Sequence, residues 1–179
     1  MAISGASGAI YGIRLLEALR EKRVETHLIL SEWAYVTIKI ETNYLPEEVK
    51  KLASCSYSAK DLTAPLASGS FSIQGMVIIP CSMKTLAAIA CGYVDNLISR
   101  AADITIKEGR KLVLVPRETP LNAIHLENML KLSRLGAVIL PPMPAFYVKP
   151  STIDDLVNHT IGKVMDQLGI DNNLYQRWK

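Results

Sequence analysis

Little in this chain invites a membrane, a disulfide, a metal or a nucleic acid. Apolar residues make up 49% of the sequence, yet no uninterrupted apolar run approaches the ~20 residues that a membrane span needs. The start carries no basic, apolar, small-residue signal segment, so the cytoplasm is the expected compartment. Three cysteines, Cys55, Cys81 and Cys91, leave one unpaired and show no Cys-x-x-Cys spacing, which speaks against a disulfide framework and a zinc site. They read as buried, reduced thiols. Among the histidines, His125 and Glu127 lack the spacing of a metal motif, His27 falls in a strand and His159 on a helix read as solvated. No metal is expected. Net charge is only +3, with lysines and arginines dispersed among acids, unlike the basic stripe of a nucleic-acid binder. A Walker lysine and a Gly-x-Ser-x-Gly elbow are also missing.

What is present is a regular alternation. Val24 to Leu30, Met76 to Pro80, Leu112 to Pro116 and Ala137 to Leu140 are compact runs rich in Val, Ile and Leu, as expected of strands buried on both faces. Helical stretches separate them: Ala9 to Glu21, Ser31 to Glu41, Pro46 to Leu52, Ser82 to Ala90, Asn96 to Lys107, His125 to Leu135 and Thr152 to Leu168. Repeated β-α order predicts an α/β fold, a parallel sheet layered between helices, in one domain over residues 1–179. Only Ser54 to Gly75 breaks the pattern, and it reads as a long excursion over a ligand or a partner subunit.

Ligands of open α/β sheets collect where βα turns converge at the carboxyl ends of strands. Here those turns carry Gly5-Ala6-Ser7-Gly8, then Ser31, then Ser82-Met83-Lys84-Thr85, then Arg117-Glu118, then Pro144, Phe146 and Tyr147. The glycine turn opens onto a helix N-terminus, a ready anion site. A plain reading stands beside each choice: Gly5 to Gly8 as a bare tight turn, Ser31 and Ser82 as N-caps, Lys84 as a solvated lysine, Arg117-Glu118 as ion-pairing groups, and Arg100 with Lys107 as an exposed charged helix face near Asp103.

Several segments, in this order, resemble the UbiX-type flavin prenyltransferases: Gly5-Ala6-Ser7-Gly8-Ala9-x-Tyr11-Gly12, Ala67-Ser68-Gly69-Ser70, Pro80 to Leu86, Arg100-Ala101-Ala102-Asp103 with Lys107-Glu108, Leu114 to Leu121, His125 to Met129 and Pro142 to Tyr147. The likeness spans nearly the whole chain. It implies a Rossmann-like (flavodoxin-like) three-layer sandwich, and transfer of a dimethylallyl group from dimethylallyl monophosphate to N5 and C6 of reduced FMN. The prenylated FMN would serve a UbiD-type decarboxylase. By the same resemblance Gly5, Ala6, Ser7, Ser31, Ser82, Met83, Lys84, Thr85 and Arg117 are flavin contacts, and Arg100, Lys107, Tyr147 and Lys163 clamp the prenyl phosphate on one anion. Ser7 and Glu118, with Glu41 behind them, are the proton handlers, and the tail residue Trp178 lines the prenyl chamber or anchors on a neighbour. A homo-oligomer, a dodecamer in the family, is implied as well.

Two positions depart from the family pattern. Lys163 stands where arginine is common, keeping charge but losing the bidentate fork. Met1 to Ser4 is short for a first strand, which reads as a trimmed or mis-started N-terminus. An alternative function shares this architecture, an FMN-dependent decarboxylase of peptidyl- or pantothenoyl-cysteine, and a rival of another class is a flavin-binding or chaperone-like module that carries FMN without chemistry. Neither needs a second phosphate site.

Overall fold

The computed structural model describes residues 1–178. Six strands, β1 (Ala2–Ile3), β2 (His27–Leu30), β3 (Cys55–Ser58), β4 (Gly75–Cys81), β5 (Lys111–Pro116) and β6 (Val138–Ile139), form one parallel sheet in the order β3-β2-β1-β4-β5-β6. Seven α-helices connect them: α1 (Ala9–Glu21), α2 (Glu32–Glu41), α3 (Pro46–Lys50), α4 (Met83–Cys91), α5 (Leu97–Lys107), α6 (Ala123–Arg134) and α7 (Ile153–Gln167). This doubly wound order reverses between β1 and β4, which creates a crevice at their carboxyl ends.

Alternation along β4 decides which helix lies on which face. Met76 and Ile78 point to one side, against Leu86 of α4, Leu97 and Ala101 of α5 and Leu132 of α6. Val77 and Ile79 point to the other, against Leu15 and Leu19 of α1 and Ile161 and Val164 of α7. A third cluster joins Ile3, Leu28 and Leu30 to Ile13 and Leu16 of α1 and Ile38 of α2. Each such aliphatic side chain contributes about 1.5–3 kcal/mol by leaving water. Truncating the fully buried Ile78 to Ala costs about 2–5 kcal/mol and opens a cavity at the centre of the sheet.

Three sequence expectations need correction. The run from Val24 yields a strand only from His27, where pairing with Cys55 of β3 begins, β1 then joining at Ile29 and Leu30. Val24 instead closes the end of α1 by donating to the Leu19 carbonyl. The excursion from Ser54 to Gly75 contains β3, a polar edge strand whose Cys-Ser-Tyr-Ser sequence carries no apolar alternation; edge strands are often blunted in this way. Only Cys81 is buried, whereas Cys55 on that edge and Cys91 at the end of α4 are exposed.

Candidate functional site

Two turns meet at the crevice, and a buried serine joins them. Ser4 donates its hydroxyl to the Pro80 carbonyl at 2.8 Å and accepts from the backbone N–H of Ser82 at 2.7 Å, which fixes the end of β1 against the end of β4. Beyond Ser4, a Cβ on Gly5 would fall 2.2 Å from the Cβ of Trp33, so only glycine lets the first turn of α2 lie against this turn. The last residue of α2 touches the same turn. Glu41 accepts from the backbone N–H groups of Gly8 at 2.7 Å and Ala9 at 3.1 Å, and Gly8 has no side chain with which to cap α1. The N-terminus of α1, expected to hold a ligand phosphate, therefore holds a carboxylate of the chain itself.

Ser7 stands exposed in the middle of this turn. Ser31 and Ser82 are both N-caps: the Ser31 oxygen accepts from Ala34 N–H at 3.1 Å and the Ser82 oxygen from Thr85 N–H at 3.3 Å. Ser82 also donates to the Thr85 hydroxyl at 3.1 Å, which ties up both side chains of that turn. Met83 packs partly into the core and Lys84 pairs with Asp95 at 3.3 Å. Ala6 is buried under the turn. At the neighbouring strand end, Arg117 donates its backbone N–H to the Cys81 carbonyl at 3.2 Å. Among the described residues neither Arg117 nor Glu118 is held in an ion pair; Glu118 only accepts from the N–H of Thr119 at 3.0 Å. Tyr11, in the first turn of α1, faces Arg117: burial pushes its phenol up and the guanidinium opposes that shift.

The four residues expected to clamp one anion form two pairs. Arg100 and Lys107 lie two turns apart on α5, beside the Ala67 to Ser70 loop. Arg100 donates to the Ala67 carbonyl at 3.3 Å and pairs with Asp103 at 3.2 Å, and Lys107 pairs with Glu108 at 3.1 Å. Tyr147 and Lys163 gather instead around His159 of α7. The Tyr147 hydroxyl lies 3.1 Å from His159 Nε2, and the Lys163 charge, after burial, holds the His159 imidazole below its usual range. Because α5 packs one face of the sheet and α7 the other, a single chain keeps the two pairs apart.

His159 itself is only 9% exposed, not solvated as the helix pattern suggested. Its spacing of four residues from Lys163 was the available signal, since such residues share a helix face. Tyr11 carried a similar signal within the glycine-turn motif, and Ser4 carried none beyond its place before Gly5. A cavity of about 670 Å³ opens at the opposite end of the sheet, among Met1, His27, Gly75 and Lys111, and none of the residues expected in the site lines it.

The residues at the crevice fit FMN. Arg117 without an ion pair, an exposed Ser7 hydroxyl and the backbone of two βα turns stand at neighbouring strand ends, a donor set suited to an anionic, planar ligand. Among the described residues no group of His, Cys, Asp or Glu is disposed to hold a metal ion.

The family model described as Flavoprotein matches residues 1–165. A probable UbiX-like flavin prenyltransferase of Escherichia coli O157:H7 is 55% identical over 178 residues, 99% of this chain and 90% of that protein. Among solved structures, AnUbiX in complex with FMN and dimethylallyl pyrophosphate superposes with a TM-score of 0.98 at 53% identity, covering 99% of this chain and 95% of that one. A dodecameric FMN-dependent UbiX-like decarboxylase from Escherichia coli O157:H7 superposes with a TM-score of 0.96 at 54% identity, covering all of both chains. The FMN-dependent cysteine decarboxylase SpaF shares the fold alone, at 15% identity and a TM-score of 0.64. Matched along nearly its whole length by proteins more than half identical to it, the chain belongs to the UbiX-like flavin prenyltransferases.

Proposed function

We propose that this protein joins a dimethylallyl group to N5 and C6 of reduced FMN, releasing phosphate from dimethylallyl monophosphate, and that the prenylated FMN passes to a UbiD-type decarboxylase in the cytoplasm. The observation that carries the reading is the presence of cationic groups beyond those a flavin needs. Arg117 stands at the flavin crevice, while Arg100 and Lys107 on α5, paired here with Asp103 and Glu108, and Lys163 and Tyr147 around His159 add three cations and a phenol that the flavin does not use. A cysteine decarboxylase or a flavin carrier has no use for them.

In this reading the chain's residues divide the work. The Gly5 to Ser7 and Ser82 to Thr85 backbones, with Ser31, Met83, Lys84 and Arg117, hold the flavin. Arg100, Lys107, Tyr147 and Lys163 bind the phosphate and stabilise its growing charge as the allylic C–O bond breaks. Ser7 and Glu118 move the proton lost as the new ring closes, and Glu41 fixes the turn that carries Ser7. Since the two clamp pairs lie on opposite faces of one chain, a complete site draws them from different copies. A homododecamer, the assembly of the UbiX-like relative above, supplies such junctions. Among the described residues no helix is long and apolar enough to cross a membrane.

Anaerobic incubation with reduced FMN and dimethylallyl monophosphate tests the proposal. The flavin should gain one dimethylallyl unit by mass and change its absorbance. Recovery of unmodified FMN at high enzyme concentration refutes it, and a parallel incubation with the diphosphate decides which donor is preferred.

A further inference from the structure

The carboxylate of Asp166, near the end of α7, is the fastening point of the C-terminal tail. It accepts from Asn172 Nδ2 at 2.9 Å, from the Tyr175 hydroxyl at 2.6 Å and from both terminal nitrogens of Arg177, at 3.0 and 2.8 Å. The guanidinium meets it as a fork, the strongest common geometry for such a pair. Asn172 also donates to the Gly162 carbonyl at 3.2 Å. The Tyr175 ring lies so close to Gly162 that a Cβ there would stand 2.3 Å from it. Tail and helix are thus fitted to each other.

The fastened tail brings two aromatic rings to the clamp. Tyr175 meets His159 edge-on, with centroids 4.9 Å apart, and Trp178 meets Tyr147 edge-on at 5.1 Å. Tyr147 stands between β6 and α7 in a stretch without helix or strand, and among the described residues its hydroxyl has one hydrogen-bond partner, His159. Such a side chain loses binding strength whenever it wanders from the orientation its ligand needs.

We propose that Asp166 is a positioning residue of the prenyl-phosphate subsite, which by latching the tail sets the orientation of Tyr147 through Trp178 on one side and Tyr175 with His159 on the other. The inference rests on the reading of Tyr147 as a phosphate contact. Its consequence is that prenyl-phosphate affinity depends on residues that touch neither phosphate nor flavin.

The test uses the full-length, FMN-loaded protein. Asp166→Ala and Trp178→Leu should each raise KM for dimethylallyl monophosphate by about 10-fold or more, leaving FMN affinity and kcat near wild type. Trypsin should remove the residues after Arg177 faster in Asp166→Ala, read by intact mass, and not in Trp178→Leu. In a Tyr147→Phe background Trp178→Leu should add little, because the tail acts through Tyr147. Unchanged KM in both single variants, with the tail of Asp166→Ala released, overturns the latch. Should Asp166→Ala fail to fold, Trp178→Leu decides alone. A wild-type protein that forms no prenylated flavin overturns instead the reading on which the latch rests.

Discussion

Ser4 and Ser82 are joined by a 2.7 Å hydrogen bond, from the Ser82 backbone N–H to the Ser4 hydroxyl oxygen, across the point where the sheet reverses. The Ser4 hydroxyl is buried and serves as acceptor there while donating to the Pro80 carbonyl. Ser4→Ala leaves the Ser82 N–H without its partner, at a cost of about 1–3 kcal/mol, while the Pro80 carbonyl keeps the Ser4 backbone N–H at 3.2 Å. It also frees the Ser82 turn from the Gly5 turn. We expect a lower urea midpoint and weaker FMN binding together. Destabilisation with unchanged FMN affinity would show that the two turns hold their places independently.

Proton transfer and turn geometry separate in a second set of variants. Glu118→Gln should bind FMN normally and slow product formation by about 10²-fold or more, the usual loss for a positioned acid or base. Ser7→Ala should likewise retain FMN and prenylate poorly. Glu41→Gln differs, since it removes a charge from the N-terminus of α1. It should lower stability by about 0.3–1 kcal/mol as well as activity. Full turnover in Glu118→Gln removes that residue from the mechanism, and loss of FMN binding in Ser7→Ala makes Ser7 a binding contact only.

The sequence carried the layered fold because β4 and β5 are buried on both faces, and their unbroken apolar runs announce it. Capping residues marked the helix starts equally well: Ser31, Ser82, Asn96 and Thr152 all accept from backbone N–H groups of the turn they begin. β3 was invisible because an edge strand needs no apolar face. Within the site, residue types and turns were readable, but partners were not. Nothing local in Ser4 foretells a bond 78 residues away, and nothing local in Glu41 foretells its place on Gly8. The separation of Arg100 and Lys107 from Tyr147 and Lys163 depends on which face each helix covers, a property of the whole sheet.

Lys163 carries two consequences that one substitution reads together. Its charge adds to burial in keeping the folded-state pKa of His159 below the ordinary 6.5. The unfolded chain then takes up a proton at a higher pH than the folded one, so this contribution is present above pH 6.5 and is lost as pH falls below it toward the folded value. Lys163→Ala should shrink that acid-side loss, measured as urea midpoints between about pH 5 and 7. The same variant should weaken dimethylallyl monophosphate far more than FMN, by about 1.5–3 kcal/mol for one charge-assisted contact. Lys163→Arg should keep or tighten it. Equal donor affinity in wild type and Lys163→Ala would leave the phosphate to Arg100, Lys107 and Tyr147.

Mixing two crippled proteins tests whether one site takes its clamp from more than one copy. Lys107→Ala and Lys163→Ala should each be nearly inactive alone, since each leaves every phosphate short of a cation. In oligomers reassembled from equal amounts of both, a site that takes Lys107 from one copy and Lys163 from another finds both intact in roughly a quarter of cases. Activity should therefore reappear on mixing, in step with exchange of subunits followed by mass. A site built within a single chain would gain nothing, because every chain in the mixture lacks one of the two lysines. Failure to recover activity in oligomers shown to be mixed would place both lysines in the same copy's site, against the opposite sheet faces on which α5 and α7 lie.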